Sequence, residues 1–155
     1  MENQSFPVTI DFNLPLDDMI RAGNYDWINF IPEETGQPGE ARDGMQKVSI
    51  EFLTFHKNCE FTTMLEKIEK QGFRPASLPE FLAIGAQYPQ LQEKFWITSL
   101  TAVEKRQFVN FTAEMEIRDD RLIPCLTVID GKRMLVWAPF DGKYRPGFLF
   151  ACVRK

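Results

Sequence analysis

The chain predicts a single α+β domain in which two main helices pack on antiparallel sheets. Helical spacing is concentrated in the first two-thirds of the sequence, two-residue alternation dominates the last third, and 155 residues supply one comfortable core rather than two. No internal repeat or low-complexity tract divides it, so residues 1–155 are expected to form one unit, with a flexible loop at about 32–46.

Val8, Ile10 and Phe12 alternate with polar residues and predict a first strand with one buried face. Residues 17–22 predict a short helix with Leu16, Met19 and Ile20 on one side and Gly23-Asn24 ending it. Tyr25, Trp27, Ile28 and Phe30 then read as an extended, partly buried segment. The stretch 32–44, with Pro32, Gly36, Pro38, Gly39 and Gly44 among charges, is a long loop without a phosphate-cradling glycine pattern. Alternation returns at Val48, Ile50 and Phe52, a strand over 47–55.

Phe61, Met64, Leu65 and Ile68 have helical spacing and predict a helix over 60–71, with Gly72 as its stop. The next helix starts at Ser77, where Ser77 and Glu80 form an S-x-x-E capping box and Pro79 sits in the first turn. Replacing Ser77 by alanine is expected to cost roughly 1 kcal/mol on that reading. Leu78, Phe81 and Leu82 supply its apolar stripe, and Tyr88-Pro89 ends it. After Phe95-Trp96-Ile97, strands are predicted over 108–115, 122–129, 134–137 and 148–153. Asp130-Gly131 is a two-residue hairpin signal, and Asp141-Gly142 marks a second turn.

Apolar residues make up 44% and charged residues 26%, the proportions of an ordinary globular chain. Fourteen Phe against three Tyr predict a core packed with rings that carry no polar atom. The formal charge of −4 is dispersed, and Lys105-Arg106 and Arg154-Lys155 are too small to track phosphates, so no nucleic-acid partner is expected. No apolar run approaches the ~20 residues of a membrane span, and the polar start at Met1-Glu2-Asn3-Gln4-Ser5 lacks a signal-type apolar stretch. No membrane partner is expected. Cys59, Cys125 and Cys152 have no CxxC spacing and read as thiols of a reducing, cytoplasmic setting.

His56 is the single histidine. His56-x-x-Cys59-Glu60 brings an imidazole, a thiol and a carboxylate together in sequence, but a structural zinc site needs four ligands, and remote Cys125 or Cys152 would have to complete it. Neither metal nor cofactor is expected. A small enzyme using Cys59 or Cys152 with His56 is the alternative, since a thiolate needs a nearby base. No G-x-S-x-G elbow, P-loop, G-x-G-x-x-G or H-E-x-x-H occurs. The pairs Asp17-Asp18, Glu33-Glu34 and Asp119-Asp120 read as solvated carboxylates, the last of them at a turn. Trp137, Phe140, Asp141 and Tyr144 are the candidate ligand-binding residues, because aromatics beside a turn can anchor a partner. The competing reading is a turn folded over the edge of the core.

Gly72-Phe73-Arg74-Pro75-Ala76-Ser77-Leu78-Pro79-Glu80 resembles the G-x-R-L-P-T-x-x-E helix start of C-type-lectin-like proteins, including the formylglycine-generating-enzyme type. Phe95-Trp96-Ile97-Thr98-Ser99 resembles the aromatic strand that follows there, and Cys152-Val153-Arg154-Lys155 their closing strand. Over nearly its full length the chain is also similar to small uncharacterised bacterial proteins, through Val8–Phe12, Gly23–Asn29, Arg74–Ala83 and the ending Phe140–Lys155. The resemblance implies a C-type-lectin-like core with recognition loops between the late strands. The calcium-and-sugar motifs of true lectins and the paired catalytic cysteines of the formylglycine enzymes have no counterpart, and Cys152 matches a structural cysteine. The expectation is a non-catalytic binding module for a protein or small-molecule ligand, with a phage or mobile-element accessory protein as a further alternative. Whether the first and last strands pair is the observation that bears on this most.

Overall fold

The computed structural model describes residues 4–29, 43–55, 60–101, 103–111, 114–139 and 148–155. In chain order they form β1 (Ser5–Asp11), α1 (Leu16–Arg21), β2 (Trp27–Ile28), β3 (Met45–Leu53), α2 (Phe61–Lys70), β4 (Phe73–Pro75), α3 (Leu78–Gln87), α4 (Leu91–Lys94), β5 (Trp96–Thr98), β6 (Val103–Phe111), β7 (Glu114–Ile129), β8 (Lys132–Pro139) and β9 (Phe148–Arg154). The class is α+β, as the sequence predicts. The expected plural antiparallel sheets are replaced by one nine-stranded sheet, ordered β1-β3-β9-β5-β7-β8-β2, with β4 added beside β9 and β6 beside β7. Two of its pairings, β5 with β9 and β2 with β8, are parallel.

β9 is an interior strand, bonded to β3, β4 and β5, and has both faces covered. Leu149 and Ala151 join a core with Val8, Ile10, Ile50, Phe52 and the α3 residues Leu78, Phe81, Leu82 and Ile84. Phe150 and Cys152 join a second core with Phe73, Leu100, Ile123 and the α2 residues Met64 and Ile68. Neighbouring residues on a strand point to opposite faces, so α3 and α2 lie on opposite sides of the sheet. That double cover explains why β9 reads Phe-Leu-Phe-Ala-Cys-Val rather than alternating with polar residues.

Of the predicted turns and stops, Asp130-Gly131 and Gly72 are present, and Asp141-Gly142 lies outside the described residues. Asp130 and Gly131 both take positive φ, 53° and 75°, and join β7 to β8 with Ile129 opposite Lys132. Gly72, at φ 84°, ends α2. The predicted strand over 108–115 is corrected: Phe111 pairs with Glu114 and Asn110 with Met115, so this stretch is the far end of a two-stranded ribbon. The predicted turn at Asp119-Asp120 is corrected too. Both residues lie inside β7, in register with Arg106 and Lys105, which places residues of opposite charge at paired positions.

The first and last strands share the sheet without touching, because β3 lies between β1 and β9. No helix among the described residues is long and apolar enough to cross a membrane.

Candidate functional site

β3 pairs with β1 along Met45–Glu51 but with β9 only at Glu51, Phe52 and Leu53. Beyond Cys152, β9 stays with β4, where Arg74 faces Val153 and Phe73 faces Arg154, and the Lys155 N–H donates to the Gly72 carbonyl. The two strands therefore splay. Between them opens a cleft of about 560 Å³ lined by Ser5, Gln46, Lys47, Val48, Ser49, Glu51, Arg74, Val153 and Arg154. Gln46 to Ser49 are consecutive, and consecutive side chains face opposite sides of a sheet, so the cleft runs along the edge of β3 rather than over one face.

Its walls are fixed by charge. Arg74 forms a two-pronged pair with Glu80, Nη1 to Oε1 at 2.7 Å and Nη2 to Oε2 at 2.9 Å. Glu80 is fully buried (0%) and the Arg74 side chain 36% exposed, so the carboxylate anchors the guanidinium from behind while Arg74 still reaches the cleft. Glu80 Oε1 also accepts the Ser77 N–H at 2.8 Å, the half of the capping box that holds α3 in place. Ser77 Oγ is set opposite the Glu80 N–H as a box requires, yet it is buried and makes no hydrogen bond. Arg154 of β9 reaches across to Glu51 of β3, donating from Nε and Nη2 at 3.3 and 3.2 Å, and its guanidinium lies 4.6 Å from the centre of the Phe73 ring. Lys47 is exposed.

Two other stretches of sheet edge, on β1 and β8, are closed by side chains. The Thr9 N–H and carbonyl of β1 bind the Gln87 amide at 3.1 and 2.7 Å, and the Tyr88 hydroxyl donates to the Pro7 carbonyl at 2.7 Å. On β8, β2 pairs with Met134 and Leu135, and the Asn29 amide then binds both the N–H and the carbonyl of Trp137, at 2.8 and 2.9 Å. At Thr9 and at Trp137 alike, a side-chain amide supplies the hydrogen bonds of a missing strand. No described residue does this for β3 along the cleft.

Of the residues predicted to bind a ligand, Trp137 is 3% exposed and packs with Leu122, Leu126 and Leu135 in the core beneath α3, so its indole is a core element and not a surface anchor. Phe140, Asp141 and Tyr144 lie outside the described residues, as do His56 and Cys59. Cys125 and Cys152 are buried, reduced thiols, and burial pushes each up to about 12, with Glu51 adding to the effect at Cys152. A thiol held protonated in this way is not an activated nucleophile. Among the described residues no group of three or more His, Cys, Asp or Glu is placed to hold a metal ion.

The cleft itself leaves no mark in the residue pattern. Arg74 and Glu80 are visible there as part of a helix start, but the splay that exposes the β3 edge depends on β9, a hundred residues further along. No protein-family model, curated protein or solved structure matches the chain.

Proposed function

We propose that the protein is a non-catalytic binding module whose ligand enters the cleft between β3 and β9. The observation that carries this reading is the cleft itself: an open, polar slot with Arg74 anchored by the buried Glu80 and a more exposed Arg154–Glu51 pair across it. Pre-organised walls of this kind favour recognition because little side-chain entropy is lost on binding. The described lining residues, with Ser5, Ser49, Lys47 and Glu51 among them, include neither histidine nor cysteine, so the slot offers no activated nucleophile with its base. Screening small anionic, saccharide and peptide fragments by backbone amide shifts tests the reading. Hits that move Gln46, Lys47, Ser49 and Arg154 support it, and hits clustered elsewhere reject it. Rapid alkylation of Cys59 by iodoacetamide at pH 7 would instead favour the Cys/His enzyme.

The C-type-lectin-like scaffold is a second reading, supported by the order of helices, aromatic strand and late hairpin. The interposed β3 speaks against direct pairing of the terminal strands. On this reading Phe140, Asp141 and Tyr144 recognise the partner. Phe140→Ala and Tyr144→Ala are then expected to weaken binding at unchanged melting temperature, whereas a loss of about 3–5 kcal/mol in stability would mark both rings as core.

A further inference from the structure

We propose that the cleft takes an extended peptide, which pairs antiparallel with the edge of β3 that no described residue covers and alternates acidic with apolar side chains. The inference rests on the binding-module reading and specifies its partner.

The backbone of β3 decides which groups face the cleft. Thr9 of β1 is opposite Lys47, and both main-chain groups of Thr9 are engaged by Gln87 on the outer side of the sheet. Thr9 and Lys47 are therefore a pair that exchanges no hydrogen bonds, and the main-chain groups of Lys47 point away from β1 as well. The same holds at Pro7 and Ser49: the Pro7 carbonyl is turned outward to the Tyr88 hydroxyl, and proline has no N–H to offer β3. Two residues further on, Glu51 points the same way and meets β9. Lys47 and Ser49 thus present two N–H and two carbonyl groups into the cleft, continuing the line on which β9 pairs. An extended chain can take up all four, which is how peptides add to exposed sheet edges.

Side chains on either side of that line select the sequence. Lys47 and Ser49 share the face on which Arg154 lies, so ligand side chains directed there meet two cations and a hydroxyl, with Glu51 as the only described acid lining the cleft. Val48, Val153 and Arg74 line the α3 side, where apolar ligand side chains pack against the two valines. A second copy of this chain is a poor occupant. Its β3 edge carries the same Lys47 beside the same Arg154, so two copies would set like charges against each other.

The probes are a blocked hexapeptide alternating Asp and Val, its Lys–Val counterpart, and the Asp–Val peptide N-methylated at alternate residues in each of the two registers. Expected results are protection from hydrogen exchange at the Lys47 and Ser49 amides by the Asp–Val peptide, at least tenfold weaker binding of the Lys–Val peptide and of one N-methylated register, and about tenfold weaker Asp–Val binding in Lys47→Glu. Equal binding of all N-methylated forms at the same amides would overturn strand pairing while leaving the cleft a binding site. Absence of any peptide effect, when fragments still bind the cleft, would overturn the peptide alone. Slow exchange of Lys47 and Ser49 in the free protein, with or without a concentration-dependent dimer, would show the edge already paired and overturn the proposal.

Discussion

At its N-terminal end α3 is tied to β4 through Arg74 and Glu80; at its C-terminal end it is tied to β8 through Arg133. Each end carries the charge its helix dipole favours, a carboxylate in the first turn and a guanidinium on a carbonyl of the last. The chemistry behind the charges differs. Glu80 meets its counter-charge directly, whereas the Arg133 guanidinium is held by neutral oxygens: the carbonyls of Gly23 at 2.6 Å and Gly85 at 2.9 Å and the Gln92 side chain at 2.9 Å. Tyr25 lies beneath it, 5.1 Å from guanidinium carbon to ring centre, and fills the space at Gly23 and Gly85, where any side chain would overlap the ring. Burial pushes the Tyr25 phenol well above its ordinary range, with Arg133 opposing the shift. One clamp therefore fails by stranding a charge and the other by stranding dipoles.

The costliest single change is accordingly expected at the N-terminal clamp. Arg74→Ala removes the guanidinium that a fully buried carboxylate is paired with, and a loss of about 3–5 kcal/mol is expected. Glu80→Ala should cost less, about 3 kcal/mol or under, because a guanidinium that is a third exposed can turn to water. Denaturant midpoints at constant m-value measure both, and a double variant that recovers much of the loss would confirm that the stranded charge is the cause. If Glu80→Ala proves the costlier, the buried carboxylate is not the vulnerable member of the pair.

Arg133→Ala strands carbonyls rather than a charge, and about 2 kcal/mol is expected. A loss equal to that of Arg74→Ala would mean that the neutral clamp is as critical as the ionic one. The same denaturation experiment decides it.

Alkaline titration probes burial rather than charge pairing, and the Tyr25 phenol of the C-terminal clamp takes part in it, because burial pushes that group up as well. Cys125 and Cys152 also matter there. In the unfolded chain they ionise near 9, while in the fold burial holds them up to about 12. Unfolding then releases protons, so the stability these groups supply is complete below about pH 8 and is lost as pH rises from 9 toward 12. The slope approaches about 1.4 kcal/mol per pH unit for each thiol. Replacing either cysteine by alanine should flatten the alkaline limb by its share, whatever it does at pH 7, and an unchanged limb would reject the assignment.

How much of this is legible in the residue pattern follows from how far apart the partners lie. The Arg74–Glu80 clamp is local, and its helix-start residues stand out from the sequence alone. So do Gly72 and Asp130-Gly131, whose backbone demands are written in the residue type. Arg133 reaches back 110 residues to Gly23 and 48 to Gly85, and no local pattern announces it. β9 is legible as a strand, but not as the one that joins β3, β4 and β5, because a strand covered on both faces loses the alternation that would orient it. The ribbon of β6 and β7 is illegible where Thr112-Ala113 carry no turn signal, so two strands look like one. The cleft depends on all of these together, which is why the residue pattern hides it.

A much smaller change separates the two halves of the capping box. From sequence, Ser77 and Glu80 contribute jointly, and Ser77→Ala would cost roughly 1 kcal/mol. In the fold the weight lies on one side: Glu80 Oε1 accepts the Ser77 N–H at 2.8 Å, and that bond needs the backbone of residue 77 rather than its side chain. Ser77 Oγ is buried without a hydrogen bond, so alanine removes an unsatisfied hydroxyl and gives up little. Ser77→Ala is accordingly expected to shift stability by only about 0.3 kcal/mol, in either direction, against the several lost at Arg74 or Glu80. A loss of 1 kcal/mol or more would restore Ser77 as a working N-cap, and would move part of the clamp from the buried carboxylate to the hydroxyl that begins the helix.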